Sequence, residues 1–335
     1  MTELRLSEAE VHALVASALA ASDTSVENAI SVADALVGAE LVGQGGHGLR
    51  RVPAYAAQSR AGKVKGCAVP VATRTRPGCV HIDARHGFAY PALDLAIEEL
   101  AAIAPSQGIA FVGIHRSHHA GVAGLFVERL ADRGLVSLFF ANAPGAMAPW
   151  GGRRPLFGTD PIAFAAPTGN GPPIVVDVSL SKVARGRIMA AAQKGEAIPE
   201  GWALDVDGNP TIDAKAALVG TMAPLGDAKG TALALMVELL AAGLTGANYG
   251  YEQTTFFDAE GLPPGTGQAI IAIDPAAFGG VRAVARFAEM AAMVAATEGA
   301  RLPGSRRHAL RERLRREGIP VDAGLIDEIK RIGAS

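Results

Sequence analysis

The central segment of the chain reads Ile109-Ala-Phe-Val-Gly-Ile114, then a helical pattern over about 122–133, then Val136-Ser-Leu-Phe-Phe-Ala141. Short apolar runs rich in β-branched and aromatic residues are typical of buried strands, and strands that alternate with helices indicate a sheet covered by helices. Further runs of this kind predict additional strands: Val80-His-Ile-Asp83, Ile162-Ala-Phe-Ala-Ala166, Ile174-Val-Val-Asp-Val178 and Gln268 to Ile273. We therefore predict an α/β or α+β fold with a sheet core.

Helical patterns precede this sheet region. Ser7, with Glu10 three positions later, has the signature of a helix start, in which the two side chains cap each other's backbone amides. A second helix is predicted from about Ser25, a third over about 49–61 and a fourth over about 91–104. The first seventy residues are thus expected to be helical.

The second half of the chain is less regular. Residues 200–230 are rich in Gly, Pro and Asp and are predicted to form a long ordered loop. The apolar stretch 231–247 predicts a buried helix, and the Arg-rich tail from Leu302 predicts a final helical part with Ser305 at a helix start. The expected regions are a helical N-terminal part, a sheet-containing part and a helical C-terminal part, over 1–75, 76–280 and 281–335.

Composition excludes several classes of protein. The 335 residues include 31 Lys and Arg against 33 Asp and Glu, and 49% of the chain is hydrophobic, which excludes intrinsic disorder. A balanced charge argues against nucleic acid or an anionic membrane as the main partner. Cys67 and Cys79 have no ligand-like spacing, which favours a reducing compartment, and the charged N-terminus does not resemble a signal peptide. We expect a soluble, cytoplasmic protein.

The stretch Gly43-Gln-Gly45-Gly-His-Gly48 matches the dinucleotide fingerprint G-x-G-x-x-G. That fingerprint requires a strand before it, a helix after it and an acidic residue about twenty positions later. Here a helical pattern precedes the glycines, and no acid stands near Lys63-Val-Lys-Gly-Cys67. We therefore reject a Rossmann site and expect these glycines to form a sharp turn that presents His47.

His47 and Arg51 are the first candidates for chemistry. A spacing of four residues at a helix start puts both side chains on one face. A histidine exchanges protons near neutral pH, and an arginine binds a carboxylate through two parallel hydrogen bonds, which together suit a small 2-oxo or 2-hydroxy acid. The alternative is structural, with a solvated arginine and a histidine that caps a turn.

Ser117-His118-His119 and the small residues up to Gly124 follow a predicted strand and open a helix. Small residues and free helix amides would let a ligand backbone or an anion approach. A metal site is the alternative, but adjacent residues of a strand point to opposite faces, so His118 and His119 are poor joint ligands. We predict no metal site.

Further polar groups stand in Gly-rich or strand-end positions. Asp177 ends a predicted strand and Ser179 follows it, at a strand end where ligands bind in α/β sheets, although an Asx turn or helix cap would explain them equally well. Pro303-Gly304-Ser305-Arg306-Arg307 has the make-up of a phosphate cradle at a helix start, or of an ordinary basic helix face. The remaining candidates are Thr159 in a tight turn and the Gly-flanked cations Arg185 and Lys229.

The order of these motifs resembles the type 2 malate/L-lactate dehydrogenase family over about residues 5–330. The resemblance rests on Gly46-His47-Gly48-Leu-Arg-Arg51-Val-Pro53-Ala-Tyr55, Ser117-His-His119, Leu156-Phe-Gly158-Thr159-Asp-Pro161, Val176-Asp177-Val-Ser-Leu-Ser181, Ile198-Pro-Glu-Gly-Trp202-Ala-Leu-Asp205, Gly208-Asn-Pro-Thr211 and Lys229-Gly230. The stretches at 43–48, 117–124 and 148–152 are most similar to the bacterial sulfolactate dehydrogenase branch. The family also contains reductases of cyclic imino acids.

The resemblance implies a homodimeric oxidoreductase that uses NADP or NAD on a sheet unlike the Rossmann fold, with region 76–280 binding the cofactor. His47 would be the catalytic acid and base for interconversion of a 2-hydroxy acid and a 2-oxo acid. Substrate-side positions would be Arg51, Thr159, Arg185 and Gly186. Cofactor-side positions would be His119, Ala120, Gly121, Val122, Ala123, Asp177, Val178, Ser179, Lys229, Gly304, Ser305, Arg306 and Arg307. A binding protein without activity would be expected to have lost His47 or Arg51, and both are present.

Three departures from the family pattern bear on substrate and cofactor. Gly46 replaces the serine that the imino acid reductases carry beside the catalytic histidine, which favours a 2-oxo acid over a cyclic imine such as Δ1-pyrroline-2-carboxylate or Δ1-piperideine-2-carboxylate. Asp160 replaces a frequent asparagine and could change the substrate pocket. Asp227 replaces a glycine close to Lys229, and its carboxylate would repel a 2′-phosphate, favouring NAD, whereas Arg306 and Arg307 would favour NADP.

Overall fold

The computed structural model describes residues 3–334, with the side chain of Val281 left out. Its strands are numbered in chain order: β1 Glu3–Leu6, β2 Val71–Arg76, β3 Cys79–Asp83, β4 Ile109–Ser117, β5 Val136–Ala141, β6 Ile162–Ala166, β7 Ile174–Val178, β8 Ala203–Leu204, β9 Pro210–Thr211, β10 Thr221–Met222, β11 Thr266–Ile273 and β12 Ile319–Asp322. All six strands predicted from apolar runs are present. The mixed α/β fold is therefore confirmed.

The helices are also numbered in chain order: α1 Glu8–Ala20, α2 Val26–Leu41, α3 Val52–Arg60, α4 Ala89–Gln107, α5 Ala123–Ala131, α6 Arg185–Lys194, α7 Ala214–Val219, α8 Ala228–Glu238, α9 Ala276–Gly279, α10 Ala283–Ala296, α11 Ser305–Glu317 and α12 Ala323–Gly333. Ser7 and Glu10 form the predicted reciprocal cap of α1. Ser25, at the predicted start of the second helix, caps α2 by accepting a hydrogen bond from the Asn28 amide. In residues 3–334, no helix combines the length and the apolar character that crossing a membrane requires.

A seven-stranded sheet forms the centre of the molecule, with the order β2-β3-β4-β11-β5-β6-β7. Of its pairings, β3 with β4 is parallel and the others are antiparallel. The larger apolar core packs α1, α2, α4 and α5 against one face of this sheet. A smaller core joins the other face to α8 and to a lobe made of α6, α7 and the sheet β10-β8-β9. The order differs from a doubly wound parallel sheet, as the rejection of a Rossmann site predicts.

The two ends of the chain meet in a second, two-stranded sheet. β1 pairs antiparallel with β12, from Glu3 opposite Asp322 to Leu6 opposite Ile319. The expectation that the first seventy residues are helical is therefore wrong at β1. This strand is four residues long and mostly exposed, so it has no apolar run by which it could be recognised. β2 was missed for the same reason, because five of its six residues are exposed.

The region around 200–247 differs from expectation in two ways. The predicted loop at 200–230 contains β8, β9, α7 and β10, whose strands are two residues long and too short for a periodic pattern. The predicted buried helix is α8, extended by a π-helical turn over Leu239–Gly243. Its Leu233, Leu235 and Leu239 are 42%, 48% and 52% exposed, so one face of this helix is open rather than buried.

Candidate functional site

Several strand ends meet at one edge of the central sheet. Ser117 at the end of β4 lies opposite Thr266 at the start of β11, and Ala141 at the end of β5 lies opposite Gln268. Ile162 at the start of β6 lies opposite Val178 at the end of β7. This edge therefore gathers the polar residues that sequence analysis found at strand ends: His118, His119, Thr159, Asp160, Asp177 and Ser179.

His47 reaches the same edge from the turn between α2 and α3. Single 3₁₀ turns at Gly45–His47 and Leu49–Arg51 lead the chain into α3. Glu40 fixes this turn, because its carboxylate accepts a hydrogen bond from the Leu49 amide at 2.8 Å. A Cβ atom on Gly48 would lie 2.1 Å from the Glu40 Oε1 atom, so a side chain there would displace Glu40 from this position. The glycines of the rejected fingerprint thus shape a turn that presents His47, as predicted.

The side chains of His47 and His119 are hydrogen bonded. His47 Nδ1 and His119 Nε2 are 3.0 Å apart, and the two rings stack with centroids separated by 5.0 Å. The other ring nitrogen of His119 lies 2.6 Å from the hydroxyl of Tyr55, and that hydroxyl lies 3.0 Å from the hydroxyl of Tyr90. His119, which the family resemblance assigns to the cofactor, therefore also contacts the candidate catalytic residue.

Burial keeps the histidines of this site neutral. Desolvation, followed by the nearby charge of Arg51, lowers the pKa of His47 to about 4. The same two causes lower the pKa of His118 to about 3, and they hold the pKa of His119 well below its usual range. At neutral pH the site accordingly combines uncharged imidazoles with a single guanidinium from Arg51.

The guanidinium of Arg51 is held in place but incompletely bonded. Its Nε atom donates to the Gly46 carbonyl at 2.8 Å, and its Cζ atom lies 4.5 Å from the centroid of the Phe257 ring. The Nη1 atom is buried and has no hydrogen-bond partner. A buried cation without an acceptor is costly, and a carboxylate can bind such a group through paired hydrogen bonds. The arrangement fits a small anionic ligand beside His47.

A second candidate binding centre lies where two helices begin. Arg307, in the first turn of α11, donates to Asp177 Oδ2 at 3.0 Å, and the Gly124 amide in α5 donates to the same oxygen at 3.0 Å. A Cβ atom on Gly124 would lie 2.1 Å from Arg307 Nη1, which is buried and has no partner. This close approach needs glycine. The unpaired guanidinium nitrogen at the start of a helix suits a phosphate or another anion.

The glycine-rich segment after β4 packs tightly beside both centres. Ala120, Val122 and Ala123 are buried, and Gly121 adopts a φ of +67° that disfavours side chains. A Cβ atom on Gly121 would lie 2.8 Å from the Tyr90 hydroxyl oxygen. The segment thus links the His47 side of the edge to the Arg307 side.

The remaining predicted site residues lie around this edge or on the small lobe without direct contact to His47. The Arg185 guanidinium, at the start of α6, donates to the Leu218 carbonyl at 3.1 Å, and Gly186 beside it is exposed. The Thr159 carbonyl accepts from the Leu180 amide at 2.8 Å. Ser179 bonds to Ser181, which pairs with Pro224. The other predicted site residues are partly buried or exposed: Val178, Ser179, Lys229, Gly304, Ser305 and Arg306.

Sequence reasoning gave no role to the aromatic residues around the histidines. Tyr55 and Tyr90 are fully buried and bonded to one another, and Phe256 and Phe257 pack against His118, His119 and Arg51. Tyr55 stands four positions after Arg51, so helical spacing was a usable signal. For Tyr90 and the two phenylalanines the linear sequence carries no such signal.

Two buried carboxyl groups lie behind the site. Asp160 is fully buried, with a φ of +40°, and neither of its carboxyl oxygens has a hydrogen-bond partner of normal geometry. Glu238 accepts hydrogen bonds from Asn142 at 2.9 Å and from the Gly250 amide at 3.1 Å. Burial, followed by the charge of Glu238, raises the pKa of Asp160 well above its usual range, and burial raises the pKa of Glu238 to about 7.

Comparison with known proteins agrees with this geometry. The profile of the malate/L-lactate dehydrogenase family matches residues 6–330. The chain is 48% identical over 326 residues to (2R)-3-sulfolactate dehydrogenase (NADP(+)) of Chromohalobacter salexigens, covering 97% of each chain. Among solved structures it resembles the Δ1-piperideine-2-carboxylate reductase of Pseudomonas syringae pv. tomato, with a TM-score of 0.92, 38% identity and coverage of 98% and 99%. It also resembles the sulfolactate dehydrogenase of Methanocaldococcus jannaschii, with a TM-score of 0.89, 30% identity and coverage of 98% and 96%.

These relatives are dehydrogenases and reductases, and the match extends over almost all of both chains. The resemblance inferred from the ordered motifs is confirmed, and the protein is an oxidoreductase. The chain belongs to the malate/L-lactate dehydrogenase family.

Proposed function

We propose that the protein is an NAD(P)-dependent dehydrogenase that interconverts a small 2-hydroxy acid and its 2-oxo acid. The observation that carries the proposal is the buried Arg51 Nη1 atom, which has no acceptor and lies beside the neutral His47 imidazole. Arg51 would bind the substrate carboxylate, and His47 would exchange a proton with the oxygen on the adjacent carbon.

Substrate binding changes the charge around His47. In the free protein, burial and Arg51 hold the pKa of His47 at about 4. A bound carboxylate neutralises Arg51 and thereby raises the pKa of His47 toward neutrality, because an opposite charge favours the protonated imidazole. In oxidation, His47 would take the hydroxyl proton; in reduction, the imidazolium would return that proton to the forming alkoxide.

The cofactor residues would lie on the Arg307 side of the edge. A nicotinamide cofactor would supply or accept the hydride. The unpaired Arg307 Nη1 atom at the start of α11 fits its phosphates, and Gly124 leaves room for the Arg307 guanidinium to lie beside Asp177. Asp177 would fix Arg307, while Ser179, Lys229 and the 119–123 segment would border the remaining surface.

Either NADP or NAD could serve as the cofactor. The name of the Chromohalobacter relative specifies NADP(+), and the exposed Arg306 beside the proposed phosphate site offers a charge for a 2′-phosphate. Asp227 is also exposed and opposes this preference if it lies near the ribose. Initial rates with NADPH and NADH at matched concentrations would measure the balance between the two.

Among 2-oxo acids we propose the sulfopyruvate type as the first candidate, because the 48% identical relative is named for sulfolactate. The second candidate is a cyclic imino acid, since several relatives are named reductases of Δ1-pyrroline-2-carboxylate.

Gly46 bears on the choice between a 2-oxo acid and a cyclic imine. A Cβ atom on Gly46 would meet nothing within 4 Å, so a serine fits there without strain. Gly46→Ser should raise the rate with the imine relative to the rate with the 2-oxo acid.

A single absorbance panel tests the proposal. Purified enzyme is given NADPH or NADH with sulfopyruvate, oxaloacetate, pyruvate or Δ1-pyrroline-2-carboxylate. Turnover of a 2-oxo acid with the imine inert supports the dehydrogenase, and preference for the imine supports the second candidate.

His47→Ala should lower kcat by about 10²–10⁴-fold with cofactor affinity retained. Arg51→Lys should raise KM for the acid, because lysine lacks the planar guanidinium that binds a carboxylate through two parallel hydrogen bonds. The control variant Arg50→Lys, at the exposed neighbouring position, should leave KM unchanged.

We also propose that the enzyme is a cytoplasmic homodimer. The family resemblance implies the dimer, and α10 supports it, because this apolar helix has no buried residue among those described. The exposed leucines of α8 offer further apolar surface. Cys67 and Cys79 are free and exposed, as expected in a reducing compartment.

A further inference from the structure

A chain of hydrogen bonds leads from His47 into the protein interior. It runs from His47 to His119 at 3.0 Å, from His119 to Tyr55 at 2.6 Å and from Tyr55 to Tyr90 at 3.0 Å. His119, Tyr55 and Tyr90 are 8%, 0% and 2% exposed, so water cannot easily replace any of these bonds. We call these three residues the buried chain.

Each bond of the buried chain needs one donor and one acceptor, which leaves two consistent arrangements. In the first, Tyr90 donates to Tyr55, Tyr55 to His119 and His119 to His47, so that the proton of neutral His47 is on Nε2. In the second, every bond is reversed: His47 Nδ1 donates to His119 Nε2, His119 Nδ1 donates to Tyr55, and Tyr55 donates to Tyr90. Then Nε2 of His47 carries a lone pair. A neutral imidazole has one donor and one acceptor nitrogen, so the two arrangements cannot mix.

The first arrangement does not support the proposed chemistry. With a proton on Nε2, His47 cannot accept a proton from a substrate hydroxyl at that atom. If His47 gave this proton away instead, the protons of the buried chain would have to shift toward it and leave Tyr90 as a phenolate. Burial raises the pKa of Tyr55 to about 12 and holds that of Tyr90 well above its usual range, so neither hydroxyl gives up its proton.

We propose that Tyr55, acting through His119, is a positioning residue that holds His47 in the tautomer with the proton on Nδ1. This inference rests on the proposed function of His47. Tyr55 accepts the bond from His119 Nδ1, which leaves His119 Nε2 as the acceptor for His47 Nδ1–H. In oxidation, the substrate O–H bond breaks and its proton goes to His47 Nε2, while the carbon gives its hydride to the nicotinamide cofactor. The resulting imidazolium keeps its bond to His119.

The geometry of the surroundings keeps the buried chain aligned. The Tyr90 hydroxyl packs against Gly121, where a Cβ atom would lie 2.8 Å away, so Tyr90 has little room to turn. The charged and titratable groups that surround His47 are Arg51, His118, His119 and the Glu40 carboxylate beside Gly48. The one carboxylate among them, Glu40, bonds to the Leu49 amide, so it does not orient the His47 ring as the aspartate of a catalytic triad orients its histidine. The neutral His119 would take that role.

The first test reads the tautomer directly. Enzyme labelled with ¹⁵N at histidine distinguishes a protonated from an unprotonated ring nitrogen by chemical shift, and loss of one signal set in His47→Ala assigns His47. We expect a protonated Nδ1 and an unprotonated Nε2 in the free enzyme near neutral pH. Tyr55→Phe removes the acceptor for His119, so we expect the proton of His47 to move to Nε2. A proton on Nε2 in the unmodified enzyme would overturn the inference.

The second test uses rates and their pH dependence. Tyr55→Phe and His119→Leu should lower kcat for oxidation of the 2-hydroxy acid by about 10–100-fold and shift the acidic limb of the pH profile. Tyr55→Phe should do so with little change in cofactor affinity. His119→Gln should recover most of the loss, because its amide keeps an acceptor for His47 and a donor for Tyr55. Tyr251→Phe, which removes an exposed hydroxyl, is the matched control, and thermal unfolding confirms that each variant is folded.

The outcomes separate the two proposals. If His47→Ala retains full activity, His47 is not the acid and base, and the proposed function fails. If His47→Ala is inactive while Tyr55→Phe keeps the pH profile and the ¹⁵N shifts of the unmodified enzyme, the role of the buried chain is wrong and the proposed function stands. Equal losses in His119→Gln and His119→Leu would likewise contradict the positioning role.

Discussion

Asp160 stands in the turn before β6 and is fully buried next to Glu238. Its pKa is raised above the ordinary 3.8 by burial and then by Glu238, so the folded state holds a proton that the unfolded state releases. Its contribution to the free energy of unfolding is therefore present below pH 4 and is lost as the pH rises. The frequent family residue, asparagine, has no such dependence.

Asp160→Asn should consequently increase the free energy of unfolding at pH 8 by about 1–3 kcal/mol and change it little at about pH 3.5, where the carboxyl group is largely protonated in both states. Urea unfolding at both pH values measures the difference. Glu238→Gln is the comparison, because burial raises the pKa of Glu238 to about 7. The contribution of Glu238 to the free energy of unfolding should therefore also be lost as the pH rises from about 4.5 to about 7. Equal effects of Asp160→Asn at the two pH values would show that its carboxyl group does not titrate as described.

Asp227 adopts a φ of +58° and a ψ of −127°, a region that glycine occupies readily and other residues avoid. Its side chain makes no cap bond to α8. Asp227→Gly should therefore raise the free energy of unfolding by about 1–3 kcal/mol, since the strain is removed and no bond is lost. Asp227→Ala keeps the Cβ atom and should give no such gain in urea unfolding. The same two variants test the cofactor preference, because both remove the carboxylate that opposes a 2′-phosphate.

At the scale of helices, we expect a glycine-to-alanine substitution to have opposite effects on stability at Gly186 and at Gly124. Gly186 lies in α6 with nothing within 4 Å of a Cβ atom, so Gly186→Ala should stabilise the protein by about 0.5–1 kcal/mol through helix propensity. Gly124→Ala would push a Cβ atom against Arg307 and Asp177, so it should lower both stability and cofactor affinity. Thermal unfolding and cofactor titration measure the two effects. A marked rise in the substrate KM of Gly186→Ala would instead support the substrate-side role that the family resemblance gives to Gly186.

Elements of ordinary length could be predicted from the sequence, and very short ones could not. The strands β4, β5 and β7 are each five residues or longer and consist mostly of apolar residues. The strands of the small lobe have two residues each and leave no periodic pattern. Their formation depends on the packing of the lobe rather than on local propensity.

The candidate site was predictable in its composition more than in its contacts. The types of His47 and Arg51 and their spacing on one helical turn indicate acid–base chemistry on a carboxylate. That His119 touches His47 across 72 positions, and that Tyr55 and Tyr90 stand behind it, depends on how α3 and α4 pack against the end of β4. No local pattern records such a contact.

At the scale of the whole molecule, the apolar surface of α10 predicts the oligomeric state. Met290 and Met293 are 64% and 68% exposed on a helix without a buried residue among those described. If a second copy covers this helix, the double variant Met290→Lys and Met293→Lys should sediment as a monomer, while the unmodified protein sediments as a dimer. Val219→Lys, at an exposed position of the small lobe, is the control. A monomeric unmodified protein at micromolar concentration would contradict the proposed dimer.

The pairing of β1 with β12 also sets the order of events during synthesis on the ribosome. Arg5 bonds to Gly318, 313 positions later, and α1 packs against α12. At translation rates of about 5–20 residues per second, the N-terminal strand has to wait roughly 15–60 s for its partner to emerge. During that time the side of α1 that packs against α12 has no cover, so the nascent N-terminal helices expose apolar surface that a chaperone could bind.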